Sequence, residues 1–184
     1  MYRIISGKWK SKKIIAPKNF EVRPTTDFAK EALFDILGNR YSFDSCSVLD
    51  LFSGLGSISL EFASRGCTDV TLIDTNAKHI QFVSAMASDL EMNLSLNFVR
   101  TDAYDWLKKN KYQNNYNIIF ADPPFESTSQ HKYEELIHLI LKNAYLRSEG
   151  TFVLEHSSKI SFQHSSLIDR RKYGNVSFSF FSPV

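Results

Sequence analysis

The sequence predicts an α/β protein built on a doubly wound, mostly parallel sheet, and three observations support this fold class. From Ser47 onwards, short apolar stretches alternate with amphipathic ones, which is typical of repeated strand–helix units. The chain ends in a predicted hairpin, with residues 167–173 and 176–181 flanking Gly174-Asn175, and this hairpin adds an antiparallel edge to the sheet. The first residues are predicted to form a short basic β-hairpin, with strands 3–10 and 12–16 and bends near Gly7 and Ser11.

The individual helices and strands follow from the spacing of apolar residues. A helix over 26–38 places its apolar side chains on one face, and Thr26 or Asp27 can cap it. The later predicted elements are strand 48–52, helix 57–65, strand 70–73, helix 77–91, strand 94–99, helix 103–110, strand 118–121, helix 133–144 and strand 151–155.

Composition and length indicate one soluble globular domain with a short appendage. The chain has 184 residues, of which 43% are apolar, and we divide it into a hairpin arm of residues 1–22 and a main domain of residues 23–184. Cys46 and Cys67 lie in apolar stretches without CxxC spacing, and the histidines show no ligand spacing, so we expect no metal. We find no signal peptide or transmembrane run, and expect a cytoplasmic monomer without a membrane partner.

Positive charge is concentrated at the start of the chain. Residues 1–30 hold eight basic side chains against two acidic ones, a net charge of +6, although the whole chain carries only +2. Such an arm is typical of phosphate binding, while a solvated basic face without a partner is the alternative.

A glycine-containing loop follows the first main strand, in residues 50–56 (DLFSGLG). Gly54 and Gly56 allow a sharp turn and a close approach of the backbone to a ligand, although the same pattern also occurs as a simple tight turn. The third glycine of the dinucleotide motif G-x-G-x-x-G is replaced by Ser59, which argues against a pyrophosphate ligand such as NAD.

Acidic residues near the ends of three predicted strands suggest which ligand the loop binds. Asp50 can meet a cationic amine, and Asp74 can accept both hydroxyls of a ribose. Asp102 is either an acceptor for an adenine amine or a helix cap. A ligand with a ribose, an ammonium group and no phosphate fits better than NAD, and S-adenosylmethionine is such a ligand. The predicted cofactor residues are Asp50, Phe52, Ser53, Gly54, Gly56, Asp74, Thr75, Asp102 and Ala103.

The sequence Asp122-Pro123-Pro124-Phe125 follows the fourth main strand and predicts the catalytic site. Asp122 and the carbonyl of Pro123 can accept both hydrogens of a planar amine, and Phe125 can stack on its ring. The amine of a nucleic-acid base is a poor nucleophile, because its lone pair is delocalised into the ring. Holding both N–H bonds directs that lone pair towards an electrophilic methyl group, so the sequence predicts a methyltransferase acting on a base amine.

These residues resemble class I amino-methyltransferases, and the first part of the chain narrows the resemblance to RsmD-type methyltransferases. The more specific segments are residues 3–8 (RIISGK), 23–27 (RPTTD) and 31–34 (EALF). The resemblance implies a Rossmann-like fold and methylation of the N2 amine of one guanine in bacterial 16S ribosomal RNA, alone or within the small subunit. It also places the segment at Arg23 over the pocket. The expected RNA-binding residues are Arg3, Lys8, Lys10, Lys12, Lys13, Arg23, Thr25 and Thr26.

Two positions depart from the family pattern, and other functions remain as alternatives. Leu55 is bulkier than the usual small residue of the glycine loop, and Phe125 replaces the usual Tyr. The alternatives are an enzyme that uses the same clamp on another RNA or DNA base amine such as adenine N6, or on a protein glutamine. An NAD-dependent oxidoreductase and a non-catalytic RNA-binding domain are two further alternatives.

Overall fold

The computed structural model describes residues 1–17, 20, 25–110, 115–124 and 129–183. Its helices and strands are β1 (Tyr2–Arg3), β2 (Lys13–Ile14), α1 (Asp27–Gly38), β3 (Ser47–Leu51), α2 (Ser57–Ser64), β4 (Asp69–Asp74), α3 (Ala77–Asp89), β5 (Leu96–Arg100), α4 (Ala103–Lys109), β6 (Tyr116–Ala121), α5 (Gln130–Lys142), β7 (Leu146–Ser157), β8 (Leu167–Tyr173) and β9 (Val176–Phe181).

A seven-stranded sheet has the strand order β5-β4-β3-β6-β7-β9-β8. The first five strands are parallel, and β9 and β8 join them as an antiparallel hairpin. The strand order reverses between β3 and β6, and in open α/β sheets this switch point is where ligands bind. The predicted fold class, including the closing hairpin, is therefore confirmed.

Three strand predictions are wrong in length. β1 and β2 have two residues each; the hairpin bonds to itself as far as Ile4, Ser11 and Lys12, and the N–H groups of the next residues, Ile5 and Ser6, donate to Glu61 of the main domain. The last parallel strand begins at Leu146 rather than at residue 151, since its first residues pair with Tyr116 through a register shift. That early part is polar and exposed, so apolar patterning could not detect it.

The sheet separates two apolar layers. Helices α1, α2 and α3 cover the face that includes Val48, Phe120 and Phe178, while α4 and α5 cover the face that includes Leu49 and Ile119. Thr26 caps α1 by accepting a hydrogen bond from the Ala29 N–H. The closing aromatic residues Phe178, Phe180 and Phe181 are fully buried, which confirms that they pack in the sheet.

The N-terminal segment is docked on α2 through a buried carboxylate. Glu61 accepts the N–H groups of Ile5 and Ser6 at 2.7 and 3.0 Å. The Lys30 ammonium lies 3.6 Å from the same carboxylate, and both side chains are fully buried. In sequence Lys30 lies among the basic residues at the start of the chain, but in the structure it is a core residue that contacts no solvent.

Close backbone contact completes this docking. The Gly7 backbone has φ +85°, and a Cβ there would lie 1.8 Å from the Ser64 carbonyl oxygen, so only glycine fits. The Lys8 N–H donates to that carbonyl at 2.8 Å. Within the described part of the chain, no helix is long and apolar enough to cross a membrane.

Candidate active site

Acidic side chains occur near the carboxyl end of each of the five parallel strands. In sheet order from β5 to β7 they are Asp102, Asp74, Asp50, Asp122 and Glu155. Sequence patterning identifies four of them, and Glu155 is the one that the structure adds. The fold therefore collects a row of carboxyl groups on one edge of the sheet, centred on the switch point between β3 and β6.

The loop after β3 is held against β4 by two backbone donors. The Ser53 N–H donates to the Ile73 carbonyl at 2.9 Å, and the Gly54 N–H donates to the Asp74 carboxylate at 2.8 Å. The Gly56 backbone has φ +72°, and a Cβ there would lie 2.6 Å from a methyl carbon of Val83. The close backbone approach that was predicted at Gly56 is therefore made to α3. This contact positions the start of α2, which follows Gly56 directly.

Asp50 is buried at the floor of the site, where only 1% of its surface is exposed. Its carboxylate accepts a hydrogen bond of 2.5 Å from the Ser59 hydroxyl. Ser59, which stands where the dinucleotide motif has its third glycine, therefore orients the Asp50 carboxylate. Burial raises the pKa of the Asp50 carboxyl to about 7, a net shift that the Ser59 hydrogen bonds oppose and the nearby Asp74 charge supports.

A cavity lies directly beside Asp50. It is lined by Thr25, Asp50, Phe52, Ser53, Gly54, Leu55, Ser57, Ile58, Phe120 and Asp122. The buried Ser53 hydroxyl has no hydrogen-bond partner among the residues that the structure describes. Phe52 has φ +62°, a strained value for a residue other than glycine, and such strain is often found at binding sites. The cavity therefore offers an unsatisfied polar group together with two carboxyl groups.

Asp74 ends β4 and is already partly engaged. Besides the Gly54 N–H, its carboxylate accepts the Asn76 N–H at 2.7 Å and lies 3.3 Å from Nδ1 of His79. A carboxylate has about four acceptor positions, so capacity for a ligand hydroxyl remains. Sequence reasoning missed His79, since its five-residue separation from Asp74 has meaning only once the strand-to-helix turn is known.

The remaining predicted cofactor residues surround the loops after β4 and β5. Asp102 accepts the Asp105 N–H at 3.0 Å and caps α4, which is one of its two predicted roles. Thr75 and Asp102 are exposed, whereas Ala103 is buried. The Phe52 ring packs edge-on against Tyr104 at 5.9 Å, which links the glycine loop to α4.

Asp122 follows β6 and lies beside Glu155 of β7. The strand register pairs Ala121 with Leu154, so Asp122 and Glu155 are the next pair along. Glu155 is buried and accepts a hydrogen bond of 2.7 Å from the Thr25 hydroxyl. Burial, together with the nearby Glu155 and Asp50 charges, raises the pKa of Asp122 well above its ordinary value. Pro123 is buried and Pro124 exposed, and Phe125 lies outside the described residues.

The predicted RNA-binding residues divide into exposed and anchored groups. Lys8, Lys10, Lys12 and Lys13 are exposed on the docked N-terminal segment, where Lys8 makes a long surface ion pair of 3.4 Å with Glu91. Arg3 pairs with Asp27 at 2.6 Å, while Thr25 bonds Glu155 and Thr26 caps α1. Arg23 lies outside the described residues. The exposed lysines are therefore the part of the set that is open to a phosphate backbone.

The matching family model is described as "Conserved hypothetical protein 95", and it covers residues 2–182. The chain belongs to this family. A ribosomal RNA small subunit methyltransferase D from Buchnera aphidicola is 32% identical to it over 160 residues, which are 86% of this chain and 78% of the relative. The Escherichia coli K12 protein of the same name is 33% identical over 154 residues, which are 83% of this chain and 73% of the relative.

Solved structures agree with this family assignment. The Escherichia coli protein yhhF matches with a TM-score of 0.81 and 26% identity, covering 99% of this chain and 97% of that chain. A hypothetical protein of Thermus thermophilus has the same fold, with a TM-score of 0.83 and 24% identity over 99% of each chain. The comparisons confirm the predicted family and the predicted enzyme class, a methyltransferase.

The loop residue Leu55 contacts the N-terminal segment. The bulky Leu55 side chain is buried, with 4% exposed, and its carbonyl accepts a hydrogen bond of 2.5 Å from the Tyr2 hydroxyl. Tyr2 is itself buried in β1. The N-terminal segment therefore touches the glycine loop directly, which sequence reasoning missed because these residues are far apart in the chain.

Proposed function

We propose that this chain transfers a methyl group from S-adenosylmethionine to the N2 amine of a guanine in bacterial 16S ribosomal RNA, in the cytoplasm. The observation that carries the proposal is the shared cavity of Asp122, Asp50 and Gly54 at the switch point of the sheet. It joins the predicted amine clamp to the predicted cofactor loop. Membership of a family that includes small-subunit ribosomal RNA methyltransferases supports the same substrate.

The residues present fit S-adenosylmethionine, because the ligand is cationic and the site is acidic. Asp50 would face the ammonium group, Asp74 the ribose hydroxyls, and Asp102 with Ala103 the adenine. The unsatisfied Ser53 hydroxyl supplies one further polar contact within the cavity. When bound, S-adenosylmethionine supplies a methyl group made electrophilic by a positively charged sulfur.

Asp122 would orient the accepting amine and receive its proton. A carboxylate oxygen and the Pro123 carbonyl accept the two N–H hydrogens, which aligns the lone pair with the methyl group. After the new N–C bond forms, the nitrogen must lose one proton. We assign the ionised Asp122 carboxylate as the acceptor of this proton. We assign Phe125 to stacking on the guanine ring.

The N-terminal segment would bring the RNA backbone to this site. Its exposed lysines offer sequence-independent attraction to phosphates. Because the segment is bonded to Glu61 and Ser64, its charges stay at a fixed distance from the cavity. Arg23, Thr25 and Thr26 belong to the segment that we place over the pocket.

The test is methyl transfer from labelled S-adenosylmethionine to unmethylated ribosomal RNA and to small subunits, followed by nucleoside analysis. We expect label in N2-methylguanosine. Label in N6-methyladenosine, or in protein glutamine, would instead support the other substrates of the same clamp. Calorimetry with S-adenosylmethionine and NAD side by side tests the cofactor, and binding of NAD alone would contradict the proposal.

A further inference from the structure

An exposed aromatic side chain stands beside the proposed active site on the first turn of α1. Phe28 is 71% exposed, and its ring packs edge-on against Tyr173 with 5.8 Å between centroids. The Tyr173 ring in turn lies 5.6 Å from the fully buried Phe178. Tyr173 is therefore fixed by the core, and it supports an aromatic ring that faces solvent.

The strand register places this pair on the same edge of the sheet as the carboxyl row. β8 runs parallel to β7, because both are antiparallel to β9. Glu155, Phe178 and Arg171 form one row across these strands, and Tyr173 lies two residues closer to the carboxyl edge. With strands about 4.8 Å apart, β8 is about 15 Å from Asp122 on β6, the span of a few nucleotides.

One guanidinium lies on the same face of β8 as Tyr173. Side chains alternate along a strand, so Arg171 shares the face of Tyr173, while Arg170 and Lys172, which are also exposed, lie on the opposite face. Arg171 pairs with Asp169 at 2.8 Å on the surface, and such exposed pairs are weak enough to exchange the carboxylate for a phosphate. A solvent-facing aromatic ring next to a guanidinium is the combination that single-stranded nucleic acids recognise, with bases stacked on rings and phosphates near cations.

We propose that Phe28 and Tyr173, together with Arg171 of β8, form a platform on which an unpaired base of the RNA stacks close to the target nucleotide. The inference rests on the proposed function, since it takes the substrate to be RNA. It adds a second contact surface, separate from the N-terminal lysines, and it requires a flanking nucleotide that is single-stranded when the enzyme acts.

Fluorescence anisotropy with a labelled single-stranded RNA of about twelve nucleotides, alone or annealed to its complement, tests the platform. Phe28→Ala should raise the Kd for the single strand by roughly 5- to 100-fold, the loss expected for one stacked base. Phe28→Trp should bind like the parent, and Arg171→Ala should reduce the salt slope by about one. The matched control is Leu94→Ala, a fully exposed apolar residue just before β5 at the opposite edge of the sheet.

Three results would overturn the platform. They are an unchanged Kd for Phe28→Ala, an equal loss for Leu94→Ala, and weakened binding to small subunits without weakened binding to RNA, which would indicate a protein partner. Calorimetry with S-adenosylhomocysteine should give the same affinity for every variant. Failure of the parent to methylate ribosomal RNA would contradict the proposed function, and the anisotropy series would still decide on the platform.

Discussion

The Thr25 hydroxyl donates a hydrogen bond of 2.7 Å to a carboxylate oxygen of Glu155. This buried contact joins a residue of the predicted pocket-covering segment to the strand beside Asp122. It links two parts of the chain that are 130 residues apart. The contact therefore positions the start of α1 against the proposed catalytic carboxylate.

Thr25→Val should weaken methyl transfer beyond what its effect on stability explains. Loss of the hydrogen bond leaves Glu155 without this partner and should lower the free energy of unfolding by about 1–3 kcal/mol. The control is Thr151→Val, four residues before Glu155 on β7, since the Thr151 side chain is also buried and its hydroxyl lies 2.7 Å from that of Tyr41. Equal activities of the two variants, measured at matched folded fractions, would show that the Thr25 contact serves stability alone.

Cofactor affinity should rise with pH up to about 7. Burial raises the pKa of Asp50 to about 7, so in the free protein this carboxyl becomes ionised only near neutral pH. Its folded-state pKa exceeds its unfolded-state pKa, so its contribution to stability is lost as pH rises from about 4 to about 7. A cationic ligand prefers the ionised form, and its Kd should therefore fall across that range.

Calorimetric titrations of the parent and of Asp50→Asn, from pH about 5 to about 8, measure this linkage. The Asn variant should bind more weakly, and its Kd should change less with pH, because residue 50 no longer titrates. The same pH profile in both proteins would exclude Asp50 as the partner of the ammonium group.

Glu61→Gln should be among the most destabilising single changes in the N-terminal region. It leaves the buried Lys30 ammonium without its counter-charge, which typically costs about 3–5 kcal/mol. Urea unfolding provides the measurement, and proteolysis should reveal release of the N-terminal segment. Glu135→Gln is the control, since Glu135 pairs with Lys108 and Lys132 near the surface and should cost about 1 kcal/mol or less. Similar losses in the two variants would contradict the anchoring role of Glu61.

Replacing the lysines of the N-terminal segment should reduce the salt dependence of RNA binding. Each phosphate contact contributes about 0.7–0.9 to the slope of log K against log salt, so a variant with Ala at Lys8, Lys10, Lys12 and Lys13 should lose up to about 3. A control variant with Ala at Lys108, Lys109, Lys132 and Lys142, all exposed on α4 and α5, should keep the parent slope. Equal slopes in the parent and the N-terminal variant would mean that the segment is a solvent-exposed basic surface that does not contact the RNA.

Local features of the fold and site could be predicted from sequence, whereas contacts between distant segments could not. The glycine loop and Asp122 follow strands whose apolar runs are visible in the sequence. Glu155 belongs to no motif that is visible in the sequence. It comes close to Asp122 only because β7 lies beside β6. Lys30 looked like a surface cation, because its partner Glu61 lies in another helix.

The central claim is that Asp122 holds the accepting amine. Single-turnover methyl transfer to unmethylated ribosomal RNA, with S-adenosylmethionine in excess, measures the chemical step most directly. Asp122→Ala should reduce that rate by roughly 10²-fold or more while cofactor affinity stays close to that of the parent, and Asp122→Asn should retain more activity because its amide oxygen still accepts a hydrogen bond. An Asp122→Ala rate close to the parent rate would contradict the claim.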